Sequence, residues 1–501
     1  MPHLPKDLHF VLFPLMIPGH MIPMVDIARL LAERGPTVTI VTTPVNANRF
    51  KPVITRAIND NLKIQVLELQ LPVTEVGLPE GCENFDMIQS AQLFIKLFKA
   101  AVLLQEPAEN MLRGLTPAPN CIISDNLLPW TSDVARNLGI PRIVFHGPGC
   151  FTYLCIHILA MNNDALDEMG SDSEFFVLPG LPDRVELTKA QGVMAWLGKD
   201  TEDTSGFFER VRLAEETANG VVVNSFYELE PYYVEELAKA KDKKVWCIGP
   251  VSLCNKSFED IDERGSKGAM NEHDCLKWLD SKEPGSVIFV CLGSLVRQCT
   301  EQNIELGLGL ESSNNPFLWC IRHTTEELER WFLEEGYEER VKERGIIIRN
   351  WAPQVLILSH RAVGGFITHC GWNSTLEGVS AGLPMLTWPH FGDQFINERF
   401  IVDVLKIGVN IGMEILVTIG EQDKIGVLVK KEDVKRSIED LMDKGKKGEA
   451  RRKRVRELGK MAKKAMEDGG SSYHNMTSMI QDIVEWLDKT PPIRDSIAQE
   501  S

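Results

Sequence analysis

The chain has 501 residues, with 54 lysines and arginines against 71 aspartates and glutamates, so its formal net charge at pH 7 is −17. This acidic balance argues against a non-specific nucleic-acid binder, because phosphate backbones need a basic surface. The length predicts two or more domains, since single hydrophobic cores stop growing beyond about 250–300 residues. An apolar fraction of 44% and a charged fraction of 25% are typical of a soluble globular protein.

Cysteine usage and the N-terminus bear on the compartment. The eleven cysteines are scattered, without a CxxC pair or zinc-type spacing, which favours a reducing environment. The opening MPHLPKDLHFVLFPLMIPGH is interrupted by Pro14 and Pro18, and it lacks the basic start and small-residue cleavage site of a signal peptide. The sequence contains no apolar run of about eighteen residues that would indicate a membrane span. We therefore predict a cytoplasmic protein.

The first part of the chain alternates between strand-like and helix-like segments. The predicted elements, in chain order, are strand 9–14, helix 22–33, strand 37–43, helix 46–59, strand 62–71, strand 118–125, helix 130–138 and strand 142–146. Strands that alternate with helices predict a parallel sheet whose two faces are both covered.

A second series of the same kind begins near residue 285. Its predicted elements are strand 286–292, helix 301–312, strand 317–322, strand 345–350, strand 362–368, a helix opening at Asn373 or Ser374, and strand 384–388. The intervening segment 251–275 is polar, charged and poor in aromatic residues, as is typical of an interdomain linker. The sequence thus predicts an α/β protein of two doubly wound Rossmann-like domains facing a cleft, with ligands at the carboxyl ends of the strands.

The stretch 444–464, KGKKGEARRKRVRELGKMAKK, is strongly basic. Val455, Leu458 and Met461 recur near helical spacing, which favours a helix with a solvated basic face. Binding to an anionic partner or lipid surface is the alternative.

The most informative segment is 351–394, WAPQVLILSHRAVGGFITHCGWNSTLEGVSAGLPMLTWPHFGDQ. It closely resembles the signature box of plant UDP-sugar glycosyltransferases, and the resemblance extends over nearly the whole chain. The opening HFVLFP and GHMIPM, with VTIVTTPVNANRF, resembles the branch that includes triterpenoid and flavonoid transferases. The positions that match the fixed points of the box are Trp351, Gln354, His369, Gly371, Trp372, Asn373, Ser374, Glu377, Asp393 and Gln394.

This resemblance implies the two-domain fold called GT-B. The acceptor would bind an N-terminal domain, 1–250, and the UDP-sugar a C-terminal domain, 276–472, with 251–275 as the linker. The resemblance also implies that a helix in 473–501 packs back on the first domain, ahead of a short tail.

The phosphate site is expected at the segment FITHCGWNSTLEG. Its pattern predicts a strand, a tight turn and a helix, and a helix N-terminus supplies the hydrogen-bond donors and positive potential that a pyrophosphate needs. The resemblance implies that the backbone amides after Gly371 and the side chains of His369, Asn373 and Ser374 contact the phosphates. It also implies that Ser294 approaches them from the neighbouring CLGS turn.

Ser374 and Glu377 have the S-x-x-E spacing of a capping box, which requires no ligand. The resemblance instead implies that Glu377 holds the ribose hydroxyls through charge-assisted hydrogen bonds and that Gln354 adds a ribose contact. Trp351 would stack on the uracil ring, and the backbone of Ala352 would pair with the uracil edge.

The sugar hydroxyls would then contact Trp372, Asp393 and Gln394. In the family, a glutamine rather than a histidine at the end of the box is associated with glucose over galactose. Galactose, xylose and glucuronate remain alternative donor sugars.

The catalytic prediction concerns His20 and Asp125. Transfer to an alcohol needs a base, and a histidine with a pKa near ~6.5 suits that role. His20 follows the first predicted strand and Asp125 ends another. Both match the family's His–Asp dyad, in which the carboxylate orients the base. The ordinary alternatives are a histidine or an aspartate that caps the following helix.

Two features depart from the family's usual pattern. Ile17-Pro18 stands where many relatives have Ala-Gln, and Pro18 removes a backbone donor. Gly149 stands where a serine is common. We expect both to border the acceptor pocket, and we expect His146, His360 and His390 to be structural.

The sequence therefore predicts an inverting, metal-independent glucosyltransferase that needs no cofactor beyond UDP-glucose as co-substrate. The expected acceptor is a small lipophilic plant metabolite with a hydroxyl: a triterpenoid, flavonoid, steroid or phenolic. A nicotinamide-dependent oxidoreductase is disfavoured because the sequence contains no GxGxxG or Walker A motif after a strand. A non-catalytic carrier that retains the nucleotide fold is the other alternative.

Overall fold

The computed structural model describes residues 8–162, 166, 168–193, 206–265, 272–417 and 419–489. The chain divides into two compact units. Unit 1 comprises the described residues of Met1–Cys150, Lys199–Asn255 and Lys464–Ser501, and unit 2 comprises those of Phe151–Gly198 and Lys256–Lys463.

The strands and helices follow in chain order. The strands are β1 (His9–Phe13), β2 (Thr37–Thr42), β3 (Ile64–Glu68), β4 (Cys121–Asp125), β5 (Arg142–His146), β6 (Phe175–Val177), β7 (Glu186–Thr188), β8 (Gly220–Val223), β9 (Val245–Cys247), β10 (Val287–Cys291), β11 (Phe317–Ile321), β12 (Gly345–Arg349), β13 (Val363–Thr368), β14 (Met385–Thr387) and β15 (Gly408–Asn410). The helices are α1 (Pro18–Ala32), α2 (Pro44–Asn59), α3 (Ala91–Val102), α4 (Gln105–Arg113), α5 (Thr131–Leu138), α6 (Cys150–Met161), α7 (Lys189–Val193), α8 (Phe207–Glu216), α9 (Pro231–Lys241), α10 (Phe258–Asp262), α11 (Glu272–Asp280), α12 (Thr300–Ser312), α13 (Glu326–Glu334), α14 (Tyr337–Val341), α15 (Gln354–Leu358), α16 (Trp372–Ala381), α17 (Gln394–Arg399), α18 (Gln422–Ile425), α19 (Lys431–Leu441), α20 (Lys446–Met466) and α21 (Ser471–Lys489).

Unit 1 is built on a seven-stranded sheet of order β3-β2-β1-β4-β5-β8-β9. Its neighbouring strands pair in parallel. Strand β1 reads HFVLF and is buried along its whole length, as expected for a parallel strand covered on both faces. The chain moves outward from β1 in one direction and later from β4 in the other, so the topological switch point lies between these two strands.

Unit 2 contains a six-stranded parallel sheet of order β12-β11-β10-β13-β14-β15. Its switch point lies between β10 and β13. There Phe289 and Phe366 occupy paired positions on the two strands, and their rings stack 5.5 Å apart. A separate antiparallel pair is formed by β6 and β7. The predicted α/β fold of two doubly wound sheets is confirmed.

The predicted elements match the observed ones to within a few residues, and the largest difference concerns α1. This helix begins at Pro18, four residues before its predicted start at 22. Proline is favoured at the first helical position because its φ is already helical and its missing N–H has no partner to lose. The departure at Ile17-Pro18 is thus accommodated as a helix start, and His20 lies in the first turn of α1.

The predicted first domain, 1–250, and unit 1 differ over Phe151–Gly198, which belongs to unit 2. The contacts of the segment explain this division. The Phe151 ring stacks on Phe400 at 4.7 Å, and the Thr152 hydroxyl donates a hydrogen bond to Asn397 Oδ1 at 2.6 Å. These are packing contacts between distant parts of the chain, which local sequence patterns do not record.

The segment predicted as a linker, 251–275, is more ordered than its composition indicates. Helix α10 begins after Ser257, whose hydroxyl accepts a hydrogen bond from the Asp260 N–H at 3.1 Å. Asn255 is buried, accepts a bond from Arg29 Nη1 at 2.6 Å and donates one to Asp26 at 2.9 Å. Much of the polar composition therefore belongs to buried networks. Residues 266–271 of the segment lie outside the described residues.

The two C-terminal helices were both predicted. Helix α21 packs on β9 within unit 1, and Asn475 Nδ2 donates a 2.9 Å hydrogen bond to the Cys247 carbonyl. The predicted tail at 490–501 lies outside the described residues. In α20 the buried stripe includes Val455, as predicted, but Met461 is 43% exposed. The prediction was wrong for Met461. Ala462 is buried instead, because it lies about two helical turns after Val455 and therefore on the same face of the helix.

Within the described part of the chain, no helix has both the length and the apolar character needed to cross a bilayer. All eleven cysteines are described, and each is a free thiol.

Candidate functional site

The predicted catalytic residues meet at the switch point of the unit 1 sheet. His20 lies in the first turn of the helix that follows β1, and Asp125 is the last residue of the adjacent strand β4. The His20 Nδ1 atom is 2.6 Å from Asp125 Oδ2. Asp125 is fully buried, whereas the His20 side chain keeps 19% of its surface exposed. The ring is therefore fixed at Nδ1 by the buried carboxylate, while part of its surface remains accessible to solvent.

The hydrogen bonds of Asp125 determine the tautomer of His20. A carboxylate can only accept, so the Nδ1–H of the ring donates to Oδ2 and the neutral ring presents its lone pair at Nε2. Asp125 Oδ1 accepts a second bond, from the Leu127 N–H at 3.0 Å. With both oxygens held, the carboxylate orients the imidazole and would stabilise the imidazolium formed when Nε2 takes a proton.

Neither residue caps a helix. The N-cap of α1 is Ile17 and that of α5 is Trp130, and neither position has a side-chain capping bond. The capping alternatives for His20 and Asp125 are therefore wrong.

A buried arginine lies beside this pair and was not predicted as part of the site. Arg142, on β5 next to β4, donates through Nε to Ser124 and Thr131 at 2.8 and 2.9 Å. Burial lowers its pKa to about 10, against the opposing effect of the Glu215 and Asp125 charges. The guanidinium thus stays cationic at neutral pH, and its charge interacts favourably with the Asp125 carboxylate. The sequence did contain an indication of this residue, because Arg142 is a charged residue at the start of the mainly apolar strand β5.

A glycine makes room for the His20 ring. Gly147 directly follows β5, and a Cβ placed on it would lie 2.7 Å from Cε1 and 2.9 Å from Nε2 of His20. Such distances are shorter than van der Waals contact, so any larger residue must displace the imidazole. Sequence reasoning singled out Gly149 in this turn and missed Gly147, because the requirement comes from α1, more than a hundred residues away in the chain.

The second constellation lies at the switch point of the unit 2 sheet. Strand β10 leads into the turn that carries Gly293 and Ser294, and the adjacent β13 leads directly into His369. The His369 ring lies against two glycines, since a Cβ on either Gly293 or Gly371 would come within 2.4 Å of Nε2. Gly293 also has a φ of +81°, in the left-handed region that favours glycine.

The surroundings of His369 determine its protonation. Burial lowers the pKa of His369 to about 4, so the ring is neutral at neutral pH. Its Nδ1 is buried and has no hydrogen-bond partner among the described residues. Buried polar atoms without a partner are rare in folded proteins, and each needs an explanation. The ring is suited to hydrogen bonding and unsuited to serve as a base.

The helix after this turn begins one residue earlier than the first predicted position. Gly371 is the N-cap of α16 and Trp372 its first residue, with no side chain capping the end. The first N–H groups of a helix have no partner inside it and carry its positive partial charge. Because Ser374 is the third helical residue and not the N-cap, the capping-box alternative for Ser374 and Glu377 is wrong.

The side chains of the predicted ribose contacts form one network. Gln354 Nε2 donates to Ser374 Oγ at 3.0 Å and to Glu377 Oε2 at 2.7 Å. The Glu377 side chain is only 5% exposed, and its other oxygen forms a salt bridge with Arg264. Arg264 was not predicted, because it lies in the segment interpreted as a linker.

Trp351 lies between β12 and α15, beside this network. The Arg322 guanidinium sits over the indole, 4.6 Å from its centroid, so a cation covers one ring face. Trp351 Nε1 is buried without a partner among the described residues. The backbone of Ala352, predicted to pair with uracil, follows directly in the chain. A base stacking on Trp351 would use the face opposite Arg322.

Two of the three predicted sugar contacts, Asp393 and Gln394, lie at the start of α17. Gln394 Oε1 accepts hydrogen bonds from the backbone N–H groups of His390 and Phe391, at 2.9 and 3.3 Å, which leaves the amide NH₂ group to donate to a ligand. Trp372 is different, because its indole is 4% exposed and packs against Phe400 at 6.1 Å. Any sugar contact of Trp372 therefore involves its backbone.

Asn397 joins the turn after β13 to the segment that contains Asp393 and was not among the predicted residues. Its Nδ2 donates to the Cys370 carbonyl at 2.8 Å and to Asp393 Oδ2 at 2.9 Å. Its Oδ1 accepts from Thr152. The i,i+4 spacing of Asp393 and Asn397 on one helix face was the signal that could have found it.

Asn373, the remaining predicted phosphate contact, is the second residue of α16 and partly exposed. Among the described residues, no group of three or more His, Cys, Asp or Glu side chains could hold a metal ion.

Three comparisons with known proteins agree with this geometry. The family model "UDP-glucoronosyl and UDP-glucosyl transferase" matches residues 268–441. UDP-glycosyltransferase 73E1 of Stevia rebaudiana is 60% identical over 484 residues, which are 96% of this chain and 97% of that protein. The crystal structure of Glycyrrhiza uralensis UGT73P12 complexed with glycyrrhetinic acid 3-O-monoglucuronide has a TM-score of 0.88 at 36% identity and covers 99% of each chain.

Phytolacca americana UGT2 complexed with UDP-2fluoro-glucose and pterostilbene has a TM-score of 0.73 at 26% identity, over 96% of this chain and 100% of that one. Together with the two parallel sheets, these likenesses confirm the predicted GT-B fold class.

Proposed function

The chain belongs to the plant UDP-glycosyltransferase family, and from that premise we propose that it transfers glucose from UDP-glucose, with inversion, to a hydroxyl of a small lipophilic plant metabolite. The observation that carries the mechanism is the 2.6 Å hydrogen bond between His20 and the buried Asp125. A glycosyltransferase needs a base for its acceptor, and this pair supplies one with a defined tautomer.

In the proposed reaction, His20 Nε2 takes the proton of the acceptor hydroxyl as its oxygen attacks the anomeric carbon. The attack comes from the face opposite UDP, and the bond from the anomeric carbon to the phosphate oxygen breaks. The leaving UDP keeps the electron pair. Asp125 stabilises the imidazolium, as the carboxylate does in a serine-hydrolase triad.

The phosphate charge that develops on UDP would be taken up in unit 2. The uncapped N-terminus of α16 and the neutral His369 supply hydrogen-bond donors without a competing side chain. Ser294, Asn373 and Ser374 are the further phosphate contacts of the proposal. We propose that no metal takes part, so EDTA should leave the transfer rate unchanged, and a rate restored only by added Mg²⁺ or Mn²⁺ would contradict this.

Glucose as the donor sugar rests on Gln394, whose carboxamide oxygen is already bonded to the protein and whose NH₂ group can donate to a sugar hydroxyl. Asp393, which accepts a hydrogen bond from Asn397, supplies a hydrogen-bond acceptor for a sugar hydroxyl nearby. Galactose, xylose and glucuronate are the alternative sugars. Gln394→His should shift the ratio of glucose to galactose transfer, and an unchanged ratio would show that this position does not control the choice.

For the acceptor, we propose a triterpenoid, flavonoid, steroid or phenolic. The likeness to a protein crystallised with a glycyrrhetinic acid glucuronide favours the triterpenoids, and the likeness to one crystallised with pterostilbene keeps phenolics in the set.

The decisive experiment incubates the purified protein with UDP-glucose and a mixed panel of these four acceptor classes and analyses the products by mass spectrometry. We expect a product that has gained one hexose with the wild type and with His474→Ala, a control at an exposed histidine of unit 1. His20→Ala should give almost none. Products formed only with another UDP-sugar would overturn the donor assignment. Measurable UDP binding without any product would favour the non-catalytic carrier.

A further inference from the structure

An arginine outside the signature box reaches the carboxylate assigned to the ribose. Arg264 lies just after α10, the short helix that packs on α15, where Gln354 is the first residue. Its Nη1 donates to Glu377 Oε1 at 2.5 Å. The two side chains are only 10% and 5% exposed.

Stability alone is a weak explanation for this ion pair. Taking two charges out of water costs about as much as their attraction returns, and apolar residues of similar volume often replace buried pairs without loss. A functional role of one of the two charged groups is therefore a better explanation of a buried ion pair than stability. Here the carboxylate is the one whose family position implies ribose binding.

The geometry of Glu377 explains what the arginine contributes. A carboxylate has about four lone-pair sites, two on each oxygen. Arg264 occupies one on Oε1, and Gln354 occupies one on Oε2. One acceptor position per oxygen is left, which matches two hydroxyl donors on adjacent carbons, as in the 2′,3′-diol of a ribose.

We propose that Arg264 is a positioning residue of the ribose subsite, which holds the Glu377 carboxylate in the orientation that accepts from the two ribose hydroxyls. This rests on the proposed function, because it assumes that a UDP-sugar binds at Glu377. Its consequence is discrimination between ribonucleotides and deoxyribonucleotides, since a nucleotide that lacks the 2′-hydroxyl leaves one oriented acceptor position unused.

The test is titration calorimetry of UDP and 2′-deoxy-UDP with the full-length protein. In Arg264→Gln we expect UDP to bind about tenfold more weakly, the order of one hydrogen bond to a charged group, while 2′-deoxy-UDP loses less. The ratio of the affinity for UDP to the affinity for 2′-deoxy-UDP should therefore fall towards one. Glu377→Gln should lower the ratio in the same way, and the double variant should lower it no further.

Two more variants separate this role from general damage. Arg264→Lys keeps the charge and should restore part of the ratio. Arg451→Gln is a matched control, because Arg451 is also buried and bonds to Asp440, on α19 of the same unit, at 3.0 Å. It should lower the melting temperature without changing the ratio. With saturating acceptor and varied UDP-glucose, Arg264→Gln should raise KM for UDP-glucose and leave kcat nearly unchanged.

The outcomes distinguish this proposal from the proposed function. A ratio unchanged in Arg264→Gln but lowered in Glu377→Gln would overturn the role of Arg264 alone. Tighter UDP binding in Arg264→Gln would do the same, because it would mean that the arginine competes with the ribose. A wild-type protein that does not bind UDP, or a ratio unaffected by Glu377→Gln, would overturn the donor assignment as well.

Discussion

Each of the two units places a histidine beside the switch point of its parallel sheet, yet the two rings have different surroundings. His20 follows β1 and His369 follows β13, each at the switch point of its own parallel sheet. Each ring also lies close to glycine, Gly147 in the first case and Gly293 in the second. Backbone position alone therefore does not separate the two roles.

The two rings differ in the groups that contact them. His20 has a buried carboxylate 2.6 Å from Nδ1, which prepares the ring to gain a proton. His369 lies between glycines, and its pKa is lowered to about 4 by burial, so it stays neutral. In the proposed mechanism one site thus serves proton transfer and the other hydrogen bonding with an anion. The neighbouring side chain decides which.

The largest expected effect is that of His20→Ala on turnover. Removing a general base costs about 10²–10⁴-fold in rate, so kcat should fall by that order. The affinity for UDP should not change, because the residues assigned to UDP all belong to unit 2. Steady-state kinetics and calorimetry measure the two quantities. Weakened UDP binding with normal turnover would reverse the roles that we assign to the two histidines.

Gly147→Ala tests whether the position of the His20 ring matters as well as its presence. The new methyl group would lie 2.7 Å from Cε1 of His20, and misplacement of a catalytic group by about 1 Å can cost about 10²-fold. We expect a loss of kcat of that order with unchanged UDP affinity. Gly114→Ala is the matched control, since its Cβ would meet Met111 O at an ordinary 3.5 Å. Equal turnover in the two variants would contradict the prediction.

His369→Asn should have the complementary effect on binding. Losing one hydrogen bond to a charged group costs about 1.5–3 kcal/mol, so UDP should bind roughly 10- to 100-fold more weakly. Uridine has no phosphates, and its affinity should be unchanged. His360→Asn is the control, because that ring contacts Asp280 in the same unit. If uridine weakened as much as UDP, His369 would act on the base or ribose and not on the phosphates.

The smallest effect concerns the pH dependence of stability. Burial lowers the pKa of His369 to about 4 and that of His390 to about 3. Below the unfolded value of 6.5 the unfolded chain binds these protons and the folded chain does not, so stability is lost as pH falls. Burial also raises the pKa of Glu398 to about 7, so between 4.5 and 7 this carboxyl makes stability fall as pH rises.

Between pH 4.5 and 6.5 two histidines therefore oppose one carboxyl. At about 1.4 kcal/mol per pH unit for each group, these three groups together should make the free energy of unfolding rise by that amount per unit. Glu398→Gln removes the opposing effect and should make the measured slope steeper by about 1.4 kcal/mol per pH unit, whereas the exposed Glu334→Gln should not change it. Urea unfolding at several pH values measures this. A slope that Glu398→Gln leaves unchanged would contradict a raised pKa for this buried carboxyl.

Much of the donor site could be read from the sequence because it is local. Residues 351–394 run through α15, β13, α16 and β14 in succession, so Trp351, His369 and Glu377 keep the same relation wherever the segment folds in this way. The strand and helix bounds were predictable for the same reason, since periods of 2 and about 3.6 residues are properties of short windows. The errors were small and local: the start of α16, the start of α1, and Met461 on α20.

The sequence by itself determined the two series of strands and helices, the box that contains the proposed donor contacts, and the identity of the candidate base. Only the tertiary structure decided which distant side chains meet. Asp125 reaches His20 across 105 residues of chain, Arg264 reaches Glu377 across 113, and Gly147 adjoins His20 from another strand. The physical reason is that these contacts depend on the order of strands in each sheet and on the packing of helices between them. Hydrophobic periodicity records which side of an element is buried, but not which residue it is buried against.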